Sequence, residues 1–210
     1  MNEIEKLIQE LCPDGVEYKK LGEVTAWDKR FNGVDRKMQQ KIISYPYVLA
    51  KEFDILEVKG GDIKLLGTGI VEKERYTTEE IAGNLVCEGE IVAIPWGGTP
   101  NVKYYKGKFV TADNRIATSL DDTLLNNKFL YYCLQNKIAD IAKLYRGAGI
   151  QHPSMKGVLS LEIPVPPMEV QRKIVEILDN FTELEAELEA RRKQYEYYRN
   201  KLLTFTPPMT

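Results

Sequence analysis

The sequence predicts an α+β protein: a mixed α/β domain over residues 1–163, a proline hinge at 164–167, one long C-terminal coiled-coil helix over 168–204, and a short tail at 205–210. Three observations predict it. Short β-prone runs separated by turn residues fill the chain from Val16 to about Thr118. Three prolines in four positions, Pro164, Pro166 and Pro167, forbid helix before them and permit it just after. Beyond them, apolar and aromatic residues recur at alternating steps of three and four, the signature of a coiled-coil seam.

The elements follow in order. Ile4, Leu7, Ile8 and Leu11 form one stripe of a short helix that Cys12-Pro13-Asp14-Gly15 ends. The runs SYPYVLA, GDIKLLGTGI, EGEIVAIPW, VKYYKGKFVTA and NRIATSL read as strands, with VKYYKGKFVT expected to fold back as a hairpin near Gly107. In YTTEEIAG, Thr77 or Thr78 offers an N-cap for one helical turn. A helix is expected from about Asn126 to Arg146, on the apolar face of Phe129, Leu130, Cys133, Leu134, Ile138, Ile141 and Leu144, and Gly147 and Gly149 stop it.

The seam of the last helix runs through Ile174, Ile177, Phe181, Leu184, Leu188, Arg191, Tyr195, Tyr198 and Leu202, with Arg191 as its one interruption and a register marker. From Met168 to Thr204 such a helix is about 55 Å long, whereas a domain of this size has a radius of gyration of about 15 Å. Most of the seam therefore needs another partner. The opposite face carries Glu183, Glu185, Glu187, Glu189, Arg192, Lys193 and Glu196 and should stay wet. Pro207 and Pro208 are expected to end the helix.

Composition narrows the function classes. The formal net charge of −2 argues against gripping nucleic acid by bulk electrostatics, but the distribution is uneven. Residues 19–41 hold seven basic against three acidic side chains, residues 95–115 four against one, and residues 143–156 three against none. Cys12, Cys87 and Cys133 are scattered and lack C-x-x-C spacing, so neither a disulfide framework nor a zinc site is expected. They fit the reducing cytoplasm, as does the absence of a signal-like apolar run.

Catalytic and cofactor motifs are missing. His152 is the single histidine, which excludes a His-rich metal cluster. Gly67-Thr68-Gly69 and Gly147-Ala148-Gly149 lack the third glycine of a dinucleotide turn, and no phosphate-binding G-x-x-x-x-G-K-[ST] loop occurs. Val165-Pro166-Pro167-Met168 lacks both the polar residue and the aromatic ring that an amino-methyltransferase of DNA places around Pro-Pro.

The segment RGAGIQHPSMKGVLSLEIPVPPMEVQRKIVEILDNFTELEAELEARRKQYEYYRNKLL resembles the end of a target-recognition domain and the start of a spacer helix in specificity subunits of type I restriction-modification enzymes. CPDGVEYKKLGEV and EGEIVAIPWGGTPNVKYYKGKFVTADN are similar to that family's N-terminal and recognition-domain segments. The resemblance implies a subunit that binds double-stranded DNA and recruits methyltransferase subunits, and restriction subunits in the full complex, without catalysing anything itself. It implies no cofactor in this chain; S-adenosylmethionine belongs on the methyltransferase, and ATP and Mg on a restriction partner. Family members usually carry two recognition domains and two spacer helices, whereas one of each is found here. The resemblance therefore implies a half-size form that self-associates, which the unsatisfied seam also demands.

DNA readers place Arg, Lys, Asn and Gln against base edges, and Ser, Thr, Tyr and Lys on phosphates. Three loops hold both kinds. The first carries Lys29, Arg30, Lys37 and Gln39, and also Asn32 and Gln40. The second carries Gly98, Thr99, Asn101, Lys103, Tyr104 and Lys106, with Trp96 stacking or packing beside them. The third carries Arg146, Gln151, His152 and Ser154. Two copies paired through antiparallel helices would read two half-sites. The alternative keeps the coiled coil but makes the head of a cytoplasmic adaptor bind protein.

Overall fold

The computed structural model describes residues 3–71 and 73–204, so the expected tail and the helix stop at Pro207 and Pro208 lie outside the described residues. In chain order the elements are α1 (Glu3–Leu11), β1 (Tyr18–Lys20), α2 (Leu21–Val24), β2 (Thr25–Trp27), α3 (Phe53–Leu56), β3 (Ile63–Leu66), β4 (Tyr76–Thr77), α4 (Glu79–Ala82) and β5 (Cys87–Pro95). They continue with β6 (Lys103–Thr111), β7 (Asn114–Ser119), α5 (Asn127–Asn136), α6 (Ile138–Lys143), β8 (Tyr145–Arg146), β9 (His152–Pro153), α7 (Met155–Leu159), β10 (Glu162–Pro164) and α8 (Met168–Leu203). The mixed α/β domain with a long C-terminal helix is the architecture the sequence predicts.

Six strands form one sheet in the order β2-β7-β5-β6-β3-β4, antiparallel throughout except for the parallel pair β3 and β6. Strand alternation gives the sheet two apolar faces. Val92, Ile94 and Ala117 pack with Leu130 and Leu134 of α5, Val158 and Leu159 of α7, and Leu21 of α2. Ile91, Ala93, Phe109 and Ile116 form the other face with Leu66 and Cys87. The chain's β-branched strands are thus buried on both sides, which explains their nearly continuous apolar runs.

Three local expectations are corrected. The run 103–111 does not turn at Gly107; it is one nine-residue strand in which Gly107 faces Gly89, at φ +135°, and the reversal falls in Trp96–Val102. The expected helix at 126–146 breaks at Lys137 into α5 and α6, and Tyr145 and Arg146 leave it as β8. The run SYPYVLA forms only an isolated bridge, Tyr47 with Thr111, because Val48 turns into a side cluster with Phe53. Thr78 does precede α4, but its side chain makes no capping bond.

The proline segment 164–167, expected to be a hinge, does not end the core. Pro164 pairs with Tyr18, the Val165 amide donates to the Glu17 carbonyl at 2.8 Å, and Val165 and Pro166 are buried. The first turns of α8 still belong to the head: Val170 is fully buried, and Ile174 and Val175 pack on the main cluster. Gln171, also fully buried, ties the junction together. Its carboxamide oxygen accepts the Asn126 amide at 2.9 Å, and its nitrogen donates to the carbonyls of Leu124 at 2.8 Å and Pro166 at 2.7 Å.

A second clamp sits one face further on. Asp179 accepts from Tyr132 at 2.6 Å and pairs with Lys128 at 2.8 Å, so α5 holds α8 for about three turns before the helix leaves the head. From Phe181 to Thr204 every residue is exposed. Replacing Gln171 by Leu keeps the volume and orphans one buried N–H and two carbonyls. Urea denaturation should show a loss of about 3 kcal/mol, concentrated in the head.

Candidate nucleic-acid interface

The site is organised by a buried arginine. β7 places Arg115 at 2% exposure among apolar neighbours. Its guanidinium donates to Asp28 at 2.7 Å and to the Asp113 carboxylate, and lies 4.7 Å from the centre of the Trp96 ring. Asp28 follows β2 and also accepts the Ile116 amide at 3.1 Å. Burial pushes the Asp28 carboxyl above its ordinary value, with Arg115 working against that shift. One cation thereby engages two acids that border the loops around it.

Trp96 lies between this ion pair and the third loop. Its ring centre is 5.0 Å from that of His152, and its carbonyl accepts from His152 Nδ1 at 2.7 Å. The carbonyl fixes the proton on Nδ1 and leaves Nε2 without a protein partner among the described residues. The two loops are zipped further by the Gly98 amide donating to the Gln151 carbonyl at 3.1 Å. Gly97 allows this approach, since a Cβ there would come within 2.8 Å of Ile150. Gly98 itself has φ +93°, which a side chain would strain.

The first loop is closed by its own polar groups. Gln39, expected to read bases, is fully buried, and this expectation is corrected: its oxygen accepts the Phe31 amide and its nitrogen donates to the Lys29 carbonyl. Arg30 donates to the Gln39 carbonyl, and Asp35 accepts the Lys37 amide at 2.8 Å to cap the turn Arg36–Met38. Lys29 lies 5.2 Å over the Tyr47 ring.

The three loops meet at an open cavity of about 390 Å³. The first loop lines it with Lys29, Arg30 and Asn32, the second with Trp96, the third with Ser154, and α7 with Lys156. Arg146 pairs with His152 across β8 and β9 beside it, and Gln151 and Thr99 are exposed on the same zipped loops. Among the described residues Lys29, Lys37, Arg146 and Lys156 form no ion pair. The rim is therefore cationic, with an aromatic floor.

Other expected residues serve elsewhere. Asn101 donates to the carbonyls of Thr68 and Thr99, and Lys103 to that of Gly67, so both brace a neighbouring loop. Tyr104 points to the helical face, where its hydroxyl donates to Glu90 at 2.9 Å and Tyr131 and Lys128 cover its ring. Lys106 pairs with the same Glu90 at 3.1 Å. Tyr104 and Lys106 are two apart on one strand, so both face away from the side to which Lys103 reaches. Ser154 accepts the Gly157 amide and caps α7. Lys37 stays exposed on its turn, outside the cavity.

Asn32 joins the cavity as its loop suggested, and Lys156, which was not among the expected site residues, joins it too. Arg115, inside the alternating strand NRIATS, was the available signal for the buried charge beneath it. The thiols of Cys87 and Cys133 are pushed up to about 11 and about 12 by burial and are protonated at neutral pH. No group of three potential metal ligands, and no helix long and apolar enough to cross a membrane, occurs among the described residues.

Known proteins share parts of this sequence and its fold. The family model described as type I restriction modification DNA specificity domain matches residues 13–195. The chain is 39% identical over 93 residues to the EcoR124I/EcoR124II specificity subunit of Escherichia coli, covering 40% of this chain and 23% of that protein. It is 36% identical over 133 residues to a Haemophilus influenzae protein described as a type I restriction enzyme specificity subunit, covering 55% and 34%. Its fold is similar to the crystal structure of a type I restriction-modification S subunit from M. genitalium, with a TM-score of 0.60 at 21% identity, covering 89% of this chain and 46% of that one. The chain thus spans about a third or less of these curated relatives and just under half of the solved subunit. With the matched model reaching from the end of α1 into the exposed part of α8, the chain belongs to the type I restriction modification DNA specificity domain family.

Proposed function

We propose that this chain reads DNA for a type I restriction-modification system. It directs methyltransferase subunits, and restriction subunits where present, to a bipartite target, as a non-catalytic homodimer of half-size subunits. The observation that carries the reading is the convergence of three loops on Trp96, with unpaired Lys29, Arg146 and Lys156 around exposed Gln151 and His152. Cations at the rim suit phosphates, and the amide and imidazole suit base edges. S-adenosylmethionine would sit on the methyltransferase, and ATP and Mg on a restriction partner; this chain needs none of them to bind DNA.

Self-association is supported by α8, whose Phe181, Leu184, Leu188, Tyr195, Tyr198 and Leu202 are each half or more exposed. Ile174 is not available to that seam, since it packs on its own head.

Mapping methylated adenines in a host with and without the gene should return a two-part motif that disappears with the gene. Duplex binding by the purified chain with methyltransferase subunits that shows no sequence preference at any ionic strength would leave the adaptor reading standing instead. Within the site, Lys29→Ala with Lys156→Ala should weaken all duplexes alike and reduce the slope of log affinity against log salt by about 2. Gln151→Ala should instead relax one target position, at a cost of about 1–3 kcal/mol against the cognate base. Both are readable by fluorescence anisotropy. Leu184→Asp with Leu188→Asp should give a folded monomer by light scattering, with the head's thermal transition unchanged.

A further inference from the structure

Residues 143–156 contain no acid, and within them the chain builds a two-stranded ribbon. Tyr145 of β8 pairs with Pro153 of β9, and Arg146 with His152. The reversal between them is small at its tip, where Gly147, Ala148 and Gly149 follow one another and each is exposed. Gly147 holds φ +141°, and a Cβ there would come within 2.8 Å of the Ile150 carbonyl oxygen, so the tip closes tightly only without a side chain. The major groove of B-DNA admits a two-stranded ribbon; the minor groove, about half as wide, does not unless it is opened.

His152 is the ribbon residue whose hydrogen-bonding polarity the fold decides. Its Nδ1 lies 2.7 Å from the Trp96 carbonyl oxygen, which can only accept, so Nδ1 carries the ring proton. In the neutral imidazole Nε2 is then an acceptor. No carboxylate of the described residues pairs with the ring. The ring plane is fixed as well. Trp96 stacks on it with 36° between planes, and the Arg115 guanidinium lies over the same indole at 4.7 Å. The Trp96 amide donates to the Asp113 carbonyl at 3.0 Å, which anchors the peptide that holds the imidazole. Gly97 backs the Nδ1 edge, where a Cβ would stand 3.1 Å from Cε1 and 3.2 Å from Nδ1. The Nε2 edge of this exposed side chain is the one left without a protein partner among the described residues.

The chemistry of the groove turns that polarity into a choice. In the major groove the donors are the N6 amino group of adenine and the N4 amino group of cytosine, whereas guanine and thymine present acceptors alone. An acceptor fixed in that groove is bound by adenine or cytosine on the strand it faces and repelled by guanine or thymine. The neighbouring Gln151 decides nothing of the kind, since its carboxamide offers a donor and an acceptor and can turn either outward.

We infer that the β8–β9 ribbon enters the major groove and that His152 Nε2 accepts a hydrogen bond from the exocyclic amino group of an adenine or a cytosine at one target position. The inference rests on the DNA reading above and adds the groove, the atom and the class of base. Trp96 and Gly97 are positioning residues in this account: they fix the tautomer and the plane of the imidazole and touch no base through it.

The test is a cycle between protein and base. The chain with methyltransferase subunits first selects duplexes from a randomised pool. In the selected duplex each adenine is then replaced in turn by purine and each cytosine by 2-pyrimidinone, which removes only the amino group. At one position the replacement should cost the wild type about tenfold more affinity than it costs His152→Asn. The weakened base pair is felt by both proteins and cancels in the cycle. Asparagine is the informative substitution, because its Nδ2 can keep the bond to the Trp96 carbonyl while the side chain ends short of the Nε2 position. Its thermal transition and its affinity for an unselected duplex should therefore match the wild type's. Removing N7 with 7-deaza purines should cost both proteins alike. If no amino deletion separates the two proteins on a selected sequence, the inference falls and the DNA reading stands. A cycle that couples His152 to N7 makes Nε2 a donor, and one that couples it to hypoxanthine in place of guanine puts the contact in the minor groove; either overturns the inference. A pool that yields no preferred sequence overturns both readings.

Discussion

The ion pair of Arg115 with Asp28 and Asp113 is the constraint on which the candidate interface depends. A guanidinium at 2% exposure survives only where carboxylates and a π face replace its water, and here all three are supplied within one side-chain length. Asp28 comes from the end of β2, Asp113 from the turn before β7, and Trp96 from the end of β5, so one charge fixes the ends of three adjacent strands. The loops that leave those ends inherit their starting positions from it. Its electrostatic effect is equally specific: the guanidinium offsets one unit of acid charge and keeps the Asp28 carboxyl below the surface, at 7% exposure, away from the cations of the loops.

Much of this was legible in the sequence, and the limits are physical. Periodicity located α1, α5 and α8 because their apolar faces repeat at helical spacing over several turns. It misplaced the reversal near Gly107, since a glycine with positive φ can sit within a long strand opposite another glycine, as Gly107 does opposite Gly89. The three loops were legible as loops with mixed polar and basic content. Which side chains face outward was not, because Gln39 and Gln151 are the same residue type in similar loops. One is spent on two backbone groups of its own loop, and the other is left exposed. Tyr104 and Lys106 lie outside the cavity for a simpler reason: a period of two on β6 sets both beside Glu90, where they bond it, regardless of their chemistry.

The junction with α8 shows the same principle in reverse. A proline cluster reads as a linker, yet the helix that follows begins inside the core. Gln171 is a polar residue at a position where a heptad pattern tolerates one, and nothing in its spacing distinguishes a solvated side chain from a buried clamp. Its three hydrogen bonds, with the Asp179 contacts to Tyr132 and Lys128, make the first three turns of α8 continuous with the head.

That continuity matters for what a paired molecule could do. A flexible hinge would let each head wander, and the separation of two reading surfaces would then carry no information. A helix rooted through Val170, Gln171 and Asp179 transmits its direction to the surface around Trp96 by way of α5 and the sheet that α5 covers. The distance between two such surfaces is then set by the number of residues between the root and the pairing axis, at ~1.5 Å each in both copies. Helix geometry also fixes their relative rotation, since a residue inserted in both copies turns each head about 100° about its helix, in opposite senses. Insertions in the exposed stretch of α8 would therefore change spacing and phase together, and those close to whole turns leave each head facing as it did before.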